Sequence, residues 1–569
     1  MNDVSLNIKA KKEHSYDAIV VGSGMSGGWA AKELCEKGLK TLVLERGRDV
    51  KHVKDYPTAT LNPWELPHRN MITEEDLKTY PIQSKVYHFG EDNKHFFVKD
   101  TEHVYQQEKP FQWNRGYHVG GRSLLWSRHT FRWSDLDFEA NQKEGVAIDW
   151  PIRYNDIAPW YDYVESFIGV SGKNEGLSQL PDGKFIPAFE MNFLEKHLKK
   201  RIEDKFKGRN LIESRMAVLS QPHNGRGKCM SRNLCHRGCP YGAYFSSNSS
   251  TLPAAYKTGN LTLRPFSVVH SIIWDEKKHK ATGVRIIDAE TMESLEYFAP
   301  IIFLNASALN TTKIMLHSTS RTFPNGFANN SGVLGHYLMD HYSGPGVAAG
   351  YDILKDQYYF GQRSTSVYVP RYQNLFKHDR KFRRGYAYEV YVTRADWTRG
   401  YSSPGTGAEW KDSLSEPGDW QAAMYAFGEC LPDHKNQVRL DETKKDKWGL
   451  PVLKVEMDYG ENELAMKDDM INDAKEMLST ANPIWSADVS APAVPGMTIH
   501  EMGTARMGND PKTSVLNKHN QCHDAPNVFV TDGACMVSTA CQNPSLTYMA
   551  LTARACEYAV EQMKRGEIK

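Results

Sequence analysis

The chain has 569 residues, of which 40% are hydrophobic and 24% charged, with a formal net charge of +1. That length exceeds what a single hydrophobic core organises, so at least two domains are expected. The balanced charge gives no electrostatic basis for binding nucleic acid or an anionic membrane, and no run of roughly 18 apolar residues is present to span one.

Residues 1–15 lack an apolar core and a twin-arginine pair, so no export signal is expected there, and cytoplasmic residence is the plain reading. The apolar run Ala18-Ile19-Val20-Val21 predicts a short buried strand. Gly22, Gly24 and Gly27 follow it in GxGxxG spacing. A helical segment, Trp29 to Lys37, leads to a second apolar run, Thr41 to Leu44, which is closed by Glu45. Each part suits a dinucleotide: Gly22 permits a tight turn, Gly24 admits a pyrophosphate, and Gly27 lets helix and strand pack closely. The helix N-terminus attracts phosphate, and Glu45 accepts hydrogen bonds from ribose hydroxyls. The motif does not distinguish NAD from FAD.

From Glu45 to about residue 110 the sequence is polar and proline-rich and predicts long loops. In Trp113–Trp126 the Gly120-Gly121 pair, followed by Ser123, suits backbone pressed against a flat ligand. Residues 133–172 predict amphipathic helix punctuated by Pro151 and Pro159. Leu261–Trp274 and Ala281–Asp288 alternate like paired strands, and Ile301–Ala306 reads as a buried strand feeding a helix from Thr311 to His317. Short alternating runs between Ser343 and Met457, such as Tyr386–Val392, predict an antiparallel sheet in a second domain. Glu461–Leu478 reads as a surface helix. A strand at Asn527–Gly533 and a helix from Ser545 to about Lys564 return the chain to the first domain.

There are nine cysteines, an odd number without paired spacing, which does not suggest a disulfide framework. Three of them, Cys229, Cys235 and Cys239, fall within a loop at about residues 221–242 that is rich in Gly, Arg and His. The spacing is open to three readings: an iron–sulfur cluster on three thiolates, a zinc site completed by His223 or His236, or three unligated thiols.

Several motifs together resemble the glucose–methanol–choline (GMC) oxidoreductases. They are Asp17–Glu45, His118–Trp126, the stretch Leu334 to His341 (LGHYLMDH), the stretch His500 to Gly508 (HEMGTARMG), Val528–Gly533 and Cys541–Thr547, and they occur in family order along the chain. The resemblance implies an α/β fold in which a Rossmann-like FAD-binding domain is assembled from residues 1–150, 211–340 and 491–569. A substrate-binding domain with an antiparallel sheet would comprise residues 151–210 and 341–490. It places Gly22, Gly24, Gly27, Glu45, Gly120, Gly121, Ser123, Val269, Asp532, Gly533, Asn543 and Pro544 around FAD. Leu125 stands where some members carry a flavin-linking histidine, so FAD is expected to be bound noncovalently. His500 and Asn543 match the catalytic pair, His500 as general base and Asn543 as the group orienting a substrate hydroxyl.

The cysteine loop resembles that of a bacterial subset of sugar dehydrogenases carrying a [3Fe-4S] cluster, near glucose dehydrogenases and glucoside 3-dehydrogenases. By that resemblance Cys229, Cys235 and Cys239 are the ligands, and a sugar or glycoside hydroxyl is oxidised, C3 of a glucoside being one candidate. Electrons would leave to a cytochrome c-type acceptor. A small accessory subunit bearing the export signal would carry the chain to the periplasm. The alternatives are a GMC oxidase using O2 with structural cysteines, and a non-catalytic flavin-binding or docking subunit.

Overall fold

The first apolar run becomes the centre of a five-stranded parallel sheet. Ala18–Val21 lies between Thr41–Leu44 and Ile301–Leu304, and Leu261–Arg264 and Val528–Val530 form the two edges. The computed structural model describes residues 14–359, 361, 365–401 and 403–568. Every residue of the three inner strands is buried, which is why they read as continuous apolar runs without alternation. Helix Met25–Glu36 packs beside the C-terminal helix Ser545–Lys564, which also contacts Tyr154–Ile168.

The turn out of the first strand leaves no room for side chains at two of its glycines. Gly22 has φ +97°, and a Cβ there would lie 2.3 Å from the Asn305 carbonyl oxygen. A Cβ on Gly27 would lie 2.0 Å from the Gly22 oxygen. The close approach of helix, turn and neighbouring strand therefore requires glycine at both positions.

The second layer is a six-stranded antiparallel sheet in the order Trp485–Asp488, Tyr342–Tyr351, Trp420–Gly428, Tyr386–Arg394, Val367–Val369, Ile212–Glu213. The antiparallel sheet expected within residues 343–457 is thus present, extended at both edges by strands from outside that range. Helix Glu461–Leu478 covers it: Met466, Met470, Ala474, Met477 and Leu478 are buried, and the helix contacts the Tyr342–Tyr351 strand. It is therefore an amphipathic cover for the sheet and not simply a surface helix.

Two other expectations need correction. Leu261–Trp274 is two strands. Leu261–Arg264 joins the parallel sheet, the chain turns at Phe266 (φ +54°), and Ser267–Asp275 enters a separate antiparallel sheet with Lys280–Asp288 and Ser294–Phe298. The buried Arg264 guanidinium, 2.5 Å from Asp288, ties the two sheets together. The helical reading of residues 133–172, broken near Pro151, holds, but Pro159 lies inside helix Tyr154–Ile168 and does not interrupt it. Short helices at Asp135–Phe138 and Ala140–Glu144 end at Gly145 (φ +63°), and helix begins again at Tyr154. Tertiary packing of Trp133, Phe138 and Trp150, whose rings lie 5.3–6.1 Å apart, replaces local periodicity there. Among the described residues no helix is long and apolar enough to cross a membrane.

Gly27→Ala should destabilise the protein by about 1–3 kcal/mol, because the added methyl meets backbone that cannot yield. A fall in the thermal unfolding midpoint is expected. Gly38→Ala, where no atom lies within 4 Å of the added methyl but φ is +89°, should report only the backbone strain.

Candidate active site

A cavity of about 780 Å³ runs between the parallel sheet and the antiparallel sheet. Gly22, Ser23, Gly24, Glu45, Val269, Asn305, Asp532 and Gly533 line one part of it, and His129, Glu389, Tyr391, Gln421, His500 and Asn543 line another. Of the sequence-predicted site residues, Gly121 and Ser123 also line it. Gly27, Gly120 and Pro544 do not. Gly27 serves the helix–strand contact, Pro544 caps the C-terminal helix, and Gly120 is pressed against Asn248, which a Cβ would meet at 1.7 Å.

The nucleotide-like part is built around Gly24. A Cβ on Gly24 would meet nothing within 4 Å, although both other glycines of the motif are crowded. Gly24 is also the N-cap of helix Met25–Glu36, whose first turn has neither a capping side chain nor an acidic residue. Unclaimed N–H groups and the positive dipole end therefore face a space held open by a missing side chain, a fitting cradle for phosphate. Glu45 is buried, accepts the Ser23 hydroxyl at 2.6 Å and the Gly47 N–H at 3.0 Å, and has its pKa raised by burial. Asp532 accepts the Thr311 hydroxyl at 2.5 Å and the Ala534 N–H at 3.0 Å; burial pushes its pKa up to about 6. Both side-chain polar atoms of Asn114 and the hydroxyl of Tyr548, all cavity-facing residues, lack protein partners. Buried polar groups are normally satisfied, so these positions fit a ligand with polar edges. The open cradle, the acid after the second strand and these unpaired groups suit FAD.

At the other part, His500 and Asn543 come from distant loops. Residues 496–500 are held by one carboxylate. Asp340, fully buried, accepts the N–H groups of Gly496 (2.8 Å), Thr498 (3.3 Å) and His500 (3.2 Å) as well as the Thr498 hydroxyl. Within this loop Ile499 has φ +65°, a strained value for a β-branched residue, which the Asp340 bonds hold in place. The His500 Nδ1 lies 2.9 Å from Nδ1 of His341, and the exposed part of its ring faces the cavity. Burial, then His341 and Arg122, hold the His500 pKa well below its ordinary value, so the ring is neutral at physiological pH.

Asn543 donates its amide to Glu389 at 3.2 Å. Glu389 in turn accepts the Tyr391 hydroxyl at 2.9 Å and lies 3.3 Å from the His129 Nε2. Its pKa is lowered overall: burial raises it, and His129 and the hydrogen bonds outweigh that. Sequence reasoning does not find Asp340, His341, Glu389, His129 or Tyr391 as site residues. Glu389 and Tyr391 carry a signal that could have found them, since they sit two apart on one face of an otherwise apolar strand, where a carboxylate needs a reason.

The cysteine loop does not line the cavity. Cys229, Cys235 and Cys239 gather on one apolar patch formed by Met216, Val218 and Tyr244. Backbone N–H groups of Ser231 and Ala243 point at the sulfurs of Cys229 and Cys239, each at 3.4 Å. Among the described residues no three His, Cys, Asp or Glu side chains converge closely enough to hold a metal ion. His223, one candidate fourth ligand, bonds through Nε2 to the Ser166 carbonyl at 2.8 Å. The other, His236, stacks on His88 with ring centroids 4.1 Å apart, and His88 lines the cavity.

A nucleotide cradle and a His–Asn pair on one cavity fit a flavoprotein oxidoreductase. The chain belongs to the GMC oxidoreductase family: the N-terminal family profile matches residues 16–343 and the C-terminal one residues 432–552. It is similar to 2-methyl-1,2-propanediol dehydrogenase of Mycolicibacterium austroafricanum, 30% identical over 95% of this chain and 94% of that one. It is also similar to the fructose dehydrogenase large subunit of Gluconobacter japonicus, 26% identical over 97% of this chain and 99% of that one. Among solved structures, pyridoxine 4-oxidase from Mesorbium loti superposes with a TM-score of 0.60 over 96% of this chain and 99% of that one, at 15% identity, a likeness of fold.

Gly24→Val should leave folding intact, since its Cβ would meet no protein atom within 4 Å, and should abolish retention of FAD. Flavin absorbance per chain after gel filtration, beside an unchanged thermal midpoint of the apoprotein, checks this. A valine variant that keeps its flavin would move the phosphate cradle elsewhere.

Proposed function

We propose that the protein is an FAD-dependent dehydrogenase that oxidises a hydroxyl of a sugar, glycoside or small polyol to a carbonyl. The observation that carries this reading is that His500 and Asn543 open onto the same cavity as the Gly24 cradle. When bound, FAD supplies the hydride acceptor, so the chain has only to bind, orient and deprotonate the alcohol. His500, neutral and cavity-facing, accepts the hydroxyl proton. Asn543 donates an N–H to the same oxygen, its amide oriented by Glu389. Tyr391, Gln421 and His129 offer further hydrogen bonds to a polyol, in keeping with relatives named for a diol and for fructose.

Cys229, Cys235 and Cys239 are read as ligands of a [3Fe-4S] cluster that passes electrons singly to a cytochrome c-type acceptor. Their gathering on one patch and the N–H groups aimed at two sulfurs support this, since such bonds are usual at cluster thiolates. The side chains would have to rotate inward to share a metal. A small accessory subunit is in keeping with a relative named as a large subunit, and export with that subunit would place the protein in the periplasm.

His500→Ala should retain FAD and slow anaerobic flavin reduction by about 10²–10⁴-fold. The measurement is stopped-flow bleaching with fructose, glucosides and short diols, followed by NMR of the product to locate the new carbonyl. An unchanged rate removes His500 from the chemistry. In the wild type, protonation of His500 itself should not limit the rate between about pH 6 and pH 8, because burial holds its pKa well below the ordinary imidazole range; a change of rate inside that window reports Asp340, whose pKa burial raises to about 7. Iron and sulfide analysis of anaerobically purified protein should give three irons per chain, and a flavin spectrum without iron would withdraw the cluster and favour O2 as acceptor.

A further inference from the structure

The proton-accepting role of His500 needs a particular tautomer, and a residue outside the cavity decides which one exists. We infer that His341 fixes His500 with its hydrogen on Nδ1, leaving Nε2 as the bare nitrogen that meets the substrate hydroxyl. This rests on the reading of His500 as the base.

The assignment follows the hydrogen bonds inward from a carbonyl. The Thr539 carbonyl can only accept, and it lies 3.3 Å from the His341 Nε2, so that nitrogen carries the hydrogen. A neutral imidazole protonated on Nε2 has its lone pair on Nδ1. The His500 Nδ1, 2.9 Å away, must therefore donate. Its own hydrogen is thus on Nδ1, and its Nε2 is an acceptor.

The one escape is a doubly protonated His341. Its side chain is completely buried, and the carboxylate that acts on it, Glu389, already accepts bonds from Asn543 and Tyr391 and pairs with His129. Burial pushes the His341 pKa down to about 4. The far end of the chain of bonds is rigid as well. The Thr539 hydroxyl accepts the Cys430 N–H at 3.0 Å and donates to the Cys430 carbonyl at 3.2 Å, and the His341 carbonyl accepts the Tyr459 hydroxyl at 2.8 Å. His341 does not line the cavity, so it reaches the substrate only through His500. It is a positioning residue.

The test reads the tautomer directly. The oxidised holoenzyme is labelled with ¹⁵N-histidine, and a His500→Asn sample identifies the His500 signals. The wild type should show Nε2 unprotonated and Nδ1 protonated at neutral pH; the reverse pattern overturns the inference. His341→Leu removes the acceptor and should give a mixture of tautomers, with flavin reduction slowed about 10- to 100-fold and substrate affinity little changed. His341→Gln keeps an acceptor oxygen and should restore the single tautomer and most of the rate. A leucine variant that holds FAD and shows the wild-type tautomer and rate would sink the assignment, as would a glutamine variant no better than leucine. Should leucine fail to fold, the wild-type and glutamine spectra still decide. A wild-type rate in His500→Ala would instead remove the base, while the tautomer measurement still judges the contact to His341.

Discussion

Two consecutive residues at the foot of one strand set the geometry of the reactive loop. Asp340 holds the backbone of residues 496–500, and His341 holds the imidazole that this backbone carries. The strand Tyr342–Tyr351 that follows is paired on both sides within the antiparallel sheet, so the loop is pinned to a strand held by two neighbours. The pin has a cost. Burial raises the Asp340 pKa to about 7, so from the ordinary carboxylate range up to there the native state binds more protons than the unfolded chain, and stability declines as pH rises through that window. A carboxylate chosen only for stability would not be placed there. It is placed where several N–H groups of a strained loop need one acceptor.

The cavity joins two halves that solve opposite problems. Around Gly24 the protein withholds atoms: a missing side chain and an uncapped helix end leave donors for an anion to claim. Around His500 and Asn543 it supplies partners: each side chain has one hydrogen-bonding end occupied by a buried neighbour, which defines what the other end can do. The first half is tolerant of which phosphate-bearing group enters. The second is strict about polarity, because swapping a donor for an acceptor at either residue leaves a buried group unmatched.

This difference explains what can be read in the sequence. Gly22, Gly24, Gly27 and Glu45 lie within one strand–turn–helix–strand unit, so their spacing alone carries the geometry. His500 and Asn543 are legible because their neighbouring residues form recognisable stretches. Glu389 and His341 are not, since their partners are 154 and 159 residues away and nothing local marks the pairing. His341 even closes a recognisable stretch, Leu334 to His341, yet its role depends on a carbonyl at Thr539 that only the folded chain brings near. The extent of Leu261–Trp274 is hidden for a related reason. Alternation reports a strand, but not that the chain changes sheets at Phe266.

A neutral histidine behind a neutral histidine is a weak base, and that constrains the proposed chemistry. In hydrolases built on an imidazole, a carboxylate behind the ring stabilises the cation that forms. Here the group behind His500 is an uncharged nitrogen, and burial with Arg122 nearby lowers proton affinity further. Such a base cannot hold a proton taken from an ordinary alcohol, whose acidity is far lower than that of an imidazolium. It can take the proton once the carbinol oxygen has begun to become a carbonyl, when the O–H bond is strongly acidified. In the proposed reaction, loss of the proton and loss of hydride would therefore overlap in time, with Asn543 steadying the oxygen through the change. In the same proposal, a weak base would release the proton readily to solvent afterwards, and that release would return His500 to its neutral form for the next substrate.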